Sequence, residues 1–200
     1  MKYSVIYADP PWEFRNKKTG GSGQSGSEAQ YSVMSVSEVC ALNVRAISAN
    51  DSFLFMWWVA SQPGEALRVV SSWGFRLCTM TGFSWIKKTI TGKDAFGMGF
   101  YTRQQQEHVL IARRGIPAVL SHSVRQNVRA RVREHSRKPD EVRGRIIELC
   151  GDVPRLEMFA RPPVPDGWDV WGNAVNNSVE IMGVTKTAVV RKIRKKTLRT

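Results

Sequence analysis

Acidic side chains, cysteines and long apolar runs are all scarce in this chain of 200 residues, and each shortage excludes something. Cysteine occurs three times, at Cys40, Cys78 and Cys150, with no C-x-x-C spacing. That pattern excludes a disulfide framework and a cysteine-based zinc site, and predicts reduced core thiols in a cytosolic protein with no bound metal. The longest apolar stretch, Phe53 to Ala60, is far short of the ~20 residues that cross a bilayer. No charged-then-apolar leader opens the chain, so a cytoplasmic location is expected, in a bacterium or a phage-infected host cell. Seventeen Asp and Glu face thirty Lys and Arg, a formal net charge of +13. An excess of that size favours a polyanionic partner, because neutralising phosphates releases condensed counterions. Nowhere does the charge accompany a broad apolar face, so nucleic acid rather than a membrane is the expected partner.

What is present is an alternation of strand and helix patterns, on a length that suits one α/β domain. Tyr3 to Ala8 reads as a buried strand, and it closes in Asp9-Pro10-Pro11-Trp12. That tetrapeptide suits one chemical task, gripping the exocyclic amine of a base during methyl transfer. Asp9 and the Pro10 carbonyl can each accept one amino hydrogen, Pro11 stiffens the turn, and Trp12 offers a face for stacking. A Gly- and Ser-rich segment over 16–27 has no large apolar side chain and is expected to be a mobile loop.

Further on, Ser37 to Ala49 reads as a helix capped by Ser37, Phe53 to Val59 as a central strand, and Pro63 to Trp73 as a helix stopped by Gly74. Strands are predicted over Phe75 to Lys87, Val109 to Ala112 and Arg155 to Ala160, a helix over Pro139 to Leu149, and a turn over Asp169 to Asn173. The expected organisation is one domain over 1–180 and a basic tail over 181–200, which holds seven basic residues and no acidic one.

Several short motifs occur in a consistent order. After Asp9-Pro10-Pro11-Trp12 come Tyr31-Ser32-x-Met34, the double tryptophan ending the Phe53 strand, Trp73-Gly74-Phe75 and Trp85-Ile86-Lys87. Gly97-x-Gly99, Arg103, Glu107-His108-Val109-Leu110, Ser136-Arg137-Lys138-Pro139-Asp140-Glu141, Glu157-Met158-Phe159-Ala160-Arg161 and Trp171-Gly172-Asn173 complete the series. From Tyr3 to about Val175 the ordered set resembles the D-P-P-W family of N(6)-adenine methyltransferases, which includes the catalytic subunit of the eukaryotic messenger-RNA adenosine methyltransferase and phage and bacterial DNA enzymes.

The resemblance implies S-adenosylmethionine as methyl donor and a Rossmann-like, mostly parallel sheet with helices on both faces and a reversed terminal strand. It also implies a permuted order, with the catalytic motif ahead of the cofactor-binding motif. By similarity, Asp9, Pro10, Pro11 and Trp12 form the catalytic turn, and Tyr31, Lys87, Glu107 and Ser136 line the substrate side with Trp12. Asp9, Pro10, Lys138, Phe159, Ala160, Arg161, Gly172 and Asn173 serve the cofactor. Two departures weaken the expected ribose grip: Pro162-Pro163-Val164 follows Arg161 where relatives often carry a polar side chain, and Ala174 follows Asn173 where Glu or Gln is common.

The expected activity is methylation of adenine N6 in DNA by a monomer or homodimer, of the restriction-modification or anti-restriction type, with RNA as the alternative substrate. A non-catalytic nucleic-acid-binding role is the reading of a different class. Lys186, Arg191, Lys192, Arg194, Lys195 and Lys196 are the expected phosphate contacts.

Overall fold

The computed structural model describes residues 1–12, 34–97, 101–133 and 137–183. The elements are β1 (Tyr3–Ala8), α1 (Val36–Ala41), α2 (Val44–Ile47), β2 (Ser48–Trp58), α3 (Pro63–Ser72), β3 (Arg76–Lys88), β4 (Gln106–Arg114), β5 (Asn127–Arg131), α4 (Glu141–Cys150), β6 (Arg155–Met158) and β7 (Asp169–Trp171). The strands form one sheet in the order β5-β3-β4-β2-β1-β6-β7. All pairings are parallel except those of β4, which runs against both β2 and β3. The sheet is the Rossmann-like, mostly parallel one expected. Its reversed strand is third from the β5 edge, however, and not terminal.

Side-chain alternation in β1 explains the two layers of core. Ile6 and Ala8 turn to the face covered by α1, α2 and α3, while Val5 and Tyr7 turn to the face covered by α4. β1 is therefore buried on both sides, as its uninterrupted apolar character requires. β2 behaves alike: Leu54 and Met56 face the first layer, and Phe53, Phe55 and Trp57 the second. On α3 the apolar spacing buries Ala66, Val69 and Val70, and α4 buries Val142 and Ile146. Trp73, fully buried beyond α3, donates its indole N–H to the Val39 carbonyl at 2.9 Å and so ties α3 to α1.

Parallel pairing brings the ends of β1, β2, β3, β5, β6 and β7 to one rim, where the reversed β4 begins. Ligands of open α/β sheets bind along this carboxyl rim. The turns that follow β1 and β6, at Asp9 and Phe159, both fall on it.

The structure differs from the sequence expectations in several local respects. The helix expected over Ser37 to Ala49 is two short ones and the start of β2. Ser35, not Ser37, is the cap: its hydroxyl accepts from the Glu38 N–H while Glu38 bonds back to the Ser35 N–H, a capping box. Asn43 then caps α2 by accepting from the Ala46 N–H, which breaks the helix in two. Asp169 to Trp171 is strand β7, paired to β6, with the turn only beginning at Gly172. β5 carries too many arginines to read as a strand from sequence, and its pairing to β3 makes it one. Cys78 is exposed, not a core thiol, and Cys40 and Cys150 are half-buried. Past β7, Ile181 is buried and the Asn43 N–H donates to the Met182 carbonyl at 2.9 Å.

Two glycines predict opposite stability effects. A Cβ on Gly172 would lie 2.6 Å from the Ala160 carbonyl oxygen and 2.8 Å from its nitrogen, backbone that cannot step aside. Gly144 lies exposed within α4, with open space where a Cβ would sit, so there it only costs chain entropy. Gly172→Ala should lower unfolding free energy by about 1–3 kcal/mol, and Gly144→Ala should raise it by about 0.5–1 kcal/mol. Urea denaturation of both variants checks the pair; a neutral Gly172→Ala would contradict the close packing of β6 against β7.

Candidate active site

On the α4 face of the rim four charged side chains form a chain. Lys138 Nζ lies 3.1 Å from Asp9 Oδ2 and 3.3 Å from Glu107 Oε2, and Lys87 Nζ lies 2.6 Å from Glu107 Oε1. They come from separate elements: the end of β1, the loop between β5 and α4, the start of β4 and the end of β3. Beneath the cations lie aromatic rings, with Lys138 Nζ 5.3 Å from the centre of Trp57 and Lys87 Nζ 5.3 Å from that of Trp85. Trp57 in turn donates its indole N–H to the Tyr7 hydroxyl at 2.7 Å, deep in the core.

Burial acts on every group of this cluster, and the neighbouring charges outweigh it at Lys138 and Glu107 but not at Asp9. For Lys138 burial opposes the charge, but Asp9 and Glu107 together outweigh it and hold the ammonium protonated. Glu107 feels burial upward, and Lys138 and Lys87 outweigh that, keeping its carboxyl below the usual range. Asp9 is the exception. Burial raises its carboxyl above the ordinary value and Glu107 adds to the rise, with Lys138 and Arg161 pulling the other way. The cluster thus presents a cation and an anion side by side, plus one carboxylate that holds a proton more readily than usual.

Lys138 owes its place to a second layer of ion pairs. Arg133 donates from Nη2 to the Lys138 carbonyl at 2.8 Å and from Nη1 to Asp140 at 2.7 Å. Arg143 bonds Asp140 at 2.5 Å and grips Glu157 with two bonds, from Nε at 2.7 Å and Nη2 at 2.8 Å. Its guanidinium also lies 6.0 Å from the Tyr7 ring centre. Glu157 is a buried carboxylate inside an apolar strand, and it fixes the first turn of α4, and hence Lys138, against β6. The sequence motifs point to neither Arg143 nor the role of Glu157, although an acid between Leu156 and Met158 is a signal in itself: a buried carboxylate requires a partner.

The residues after β6 and β7 make the other half of the rim. Phe159 takes φ 62°, unusual for a side chain of its size, and its ring packs edge-on to Trp171 at 5.5 Å. The Ala160 N–H donates to the Trp171 carbonyl at 3.0 Å, and the Gly172 N–H to Asn177 Oδ1 at 2.8 Å. Gly172 lets the two turns touch, Arg161 lies within the electrostatic reach of Asp9, and Asn173 is exposed at the turn. Pro162, Pro163 and Val164 are exposed beyond them.

The tetrapeptide itself differs in part from expectation. Trp12 is 7% exposed, its ring packed in the core under α1 to α3 and its indole N–H donating to the Trp57 carbonyl at 3.1 Å. An apolar ring with one donor is satisfied there, so it offers no open stacking face and instead anchors the turn to β2. The Pro10 carbonyl accepts from the Trp12 N–H at 2.8 Å, which leaves one lone pair for another donor, and the Pro11 carbonyl accepts from the Met34 N–H at 3.2 Å. Asp9, Pro10, Lys87, Glu107, Lys138, Phe159, Ala160, Arg161, Gly172 and Asn173 are all on the rim. Tyr31, Ser136, Lys186, Arg191, Lys192, Arg194, Lys195 and Lys196 lie outside the described residues, as does the Gly/Ser-rich segment over 16–27.

Removing Arg143 tests how firmly α4 is pinned. Arg143→Met strands the Glu157 carboxylate in the core and should cost about 3–5 kcal/mol of stability. Arg143→Met with Glu157→Leu should recover much of that loss. Chemical denaturation of both checks it; a single variant as stable as wild type would contradict the pairing.

Comparison with known proteins bears on what this rim does. A family model described as MT-A70 matches residues 3–174. The type II methyltransferase M.MunI of a Mycoplasma species is 33% identical over 197 residues, with 90% of this chain and 81% of that one covered. The N(6)-adenosine-methyltransferase subunit METTL3 of Danio rerio is 28% identical over 183 residues, and the human catalytic subunit METTL3 27% identical over 183 residues. Each of those two alignments covers 88% of this chain but only 28% of the relative, so the chain spans little more than a quarter of their length. With the family match running through Asp9, Lys138 and the Phe159 and Gly172 turns, the chain belongs to the MT-A70 family of adenine N6 methyltransferases.

Proposed function

We propose that this chain transfers a methyl group from S-adenosylmethionine to the exocyclic N6 amine of adenine in DNA. The observation that carries the reading is the Asp9–Lys138 pair, held at the end of β1 on the carboxyl rim of an MT-A70 fold. Residues 1–180 are taken as the methyltransferase unit, against which Ile181 still packs and to which the Met182 carbonyl still bonds, and 181–200 as a basic extension. The choice of DNA rests on the relative designated a type II methyltransferase, aligned over most of its length. RNA is the second reading, favoured by the relatives named N(6)-adenosine-methyltransferases, which match over a smaller share of their length.

The donor set fits the cofactor. A zwitterionic amino acid needs a cation and an anion side by side in a half-buried place, and Lys138, Asp9 and Arg161 supply them. Lys138 would take the methionine carboxylate, and the Phe159, Ala160, Gly172 and Asn173 turns would hold the nucleoside end. When bound, S-adenosylmethionine supplies an electrophilic methyl group on a sulfonium.

The chain's own part is to ready the amine and remove its proton. The amino nitrogen of adenine is a poor nucleophile because its lone pair is delocalised into the ring. Asp9 and the free lone pair of the Pro10 carbonyl each accept one amino hydrogen, drawing the nitrogen toward tetrahedral geometry and releasing the lone pair. As positive charge grows on nitrogen both bonds strengthen, which is where the rate enhancement arises. Asp9, its carboxyl raised by burial, is suited to receive the departing proton on Oδ. Glu107, held ionised by Lys138 and Lys87, shares the Lys138 ammonium with Asp9.

Incubation with a labelled methyl donor and single- or double-stranded DNA or RNA, followed by digestion to nucleosides, tests the reading. N6-methyldeoxyadenosine is expected; label confined to RNA selects the second reading, and label on another base overturns both. Asp9→Ala should lose a factor of hundreds to thousands in kcat, about 3 kcal/mol or somewhat more, with an unchanged circular dichroism spectrum. A variant keeping a tenth of the wild-type rate would defeat the assignment.

The pH profile carries a sign. Transfer needs ionised Asp9, so kcat/KM should fall as pH drops through its burial-raised pKa in the free chain, placing the acid limb above the ordinary carboxylate range. Lys138→Met removes a group that lowers Asp9, so its residual activity should have that limb at still higher pH. A limb that stays put in Lys138→Met contradicts the coupling.

A further inference from the structure

β5 is an edge strand whose chain leads directly to Lys138. Its side chains alternate. Val128 and Ala130 pack into the core beneath α4, so Asn127, Arg129 and Arg131 turn to the opposite face, where all three are exposed. The next step of two residues is Arg133, whose guanidinium holds the Lys138 carbonyl at 2.8 Å. On β3, Ile86 is in register with Arg129 and Lys88 with Arg131. No apolar residue packed under α1, α2 and α3 comes from β5 or from 84–88 of β3. Among the described residues, those helices therefore leave Arg129 and Arg131 open.

The charge of this corner is one-sided. Lys88 pairs with Asp94 at 2.5 Å and Arg129 also acts on Asp94, so one carboxylate faces two cations. Same-face neighbours on a strand are spaced by about 7 Å, a regular row of forked donors suited to phosphate oxygens. Across β3 from it, the extension of the β3–β4 hairpin holds Phe96 at 67% and Tyr101 at 100% exposure, rings on which bases can stack. A basic edge strand together with open aromatic rings on the neighbouring hairpin fits a polynucleotide better than any other polyanion.

We infer that Arg129 and Arg131 bind the phosphodiester backbone of the substrate strand next to the target adenine and lead it over the rim toward Asp9. These residues are separate in sequence from the basic segment over 181–200, and the inference rests on the proposed nucleic-acid substrate. Arg133 lies beyond the end of β5 and acts instead as a positioning residue for Lys138.

The test is the salt dependence of oligonucleotide binding by the full chain, read by fluorescence anisotropy with single- and double-stranded DNA. Arg129→Ala with Arg131→Ala should reduce the slope of log affinity against log salt by roughly 1.4 to 1.8, two phosphate contacts' worth. Arg129→Lys with Arg131→Lys should keep the slope, and calorimetric binding of S-adenosylmethionine should be unchanged in both. A double-alanine variant with the wild-type slope, or a double-lysine variant that loses slope equally, overturns this surface while leaving the proposed function standing. Failure of the wild-type chain to bind any oligonucleotide overturns both together.

Discussion

A lysine ammonium held between two carboxylates, Asp9 and Glu107, is the interaction on which the rest of the site depends. A cation so far out of water is stable only because both acids and the Trp57 ring surround it, and each of those groups is fixed by a different strand. The carboxyl rim exists to bring them together. β1 and β2 are parallel, β4 is reversed, and so the end of one chain segment and the start of another meet at Lys138. A sheet with β4 the other way round would place Glu107 at the far edge.

The same logic extends one layer inward. Arg143 and Glu157 form a buried bidentate pair that locks α4 to β6, and Arg133 ties the loop before α4 to the helix. The order of motifs then has a physical reading: the N-terminal strand supplies the acid, and the C-terminal third supplies the lysine and the turns after β6 and β7. Parallel crossovers, not nearness in sequence, place Asp9 beside Phe159, Gly172 and Lys138.

Much of this is legible in the residues. The apolar run from Tyr3 to Ala8, the Phe53 strand and the α3 and α4 patterns are readable because burial on one or both faces leaves a period in the sequence. Asp9, Glu107 and Lys138 stand out through their motifs, and the structure brings them within one salt-bridge chain. What is not legible depends on partners distant in sequence. Nothing in R-A-R around β5 marks a strand, because an edge strand exposed on one face needs only Val128 and Ala130 inside. Trp12 reads as a stacking platform because tryptophan suits both a core and a base; only the Trp57 carbonyl decides. Ser35 and Asn43 divide the expected helix through short-range side-chain bonds that periodicity does not register.

The most direct measurement of the central claim is a crystal structure of the chain with a non-transferable donor analogue and an adenine-containing oligonucleotide. The account predicts the adenine amine within hydrogen-bonding distance of Asp9 Oδ and the Pro10 carbonyl, with Lys138 against the analogue's carboxylate. An adenine bound elsewhere, with Lys138 still closed on Asp9 and no base beside it, would contradict the account.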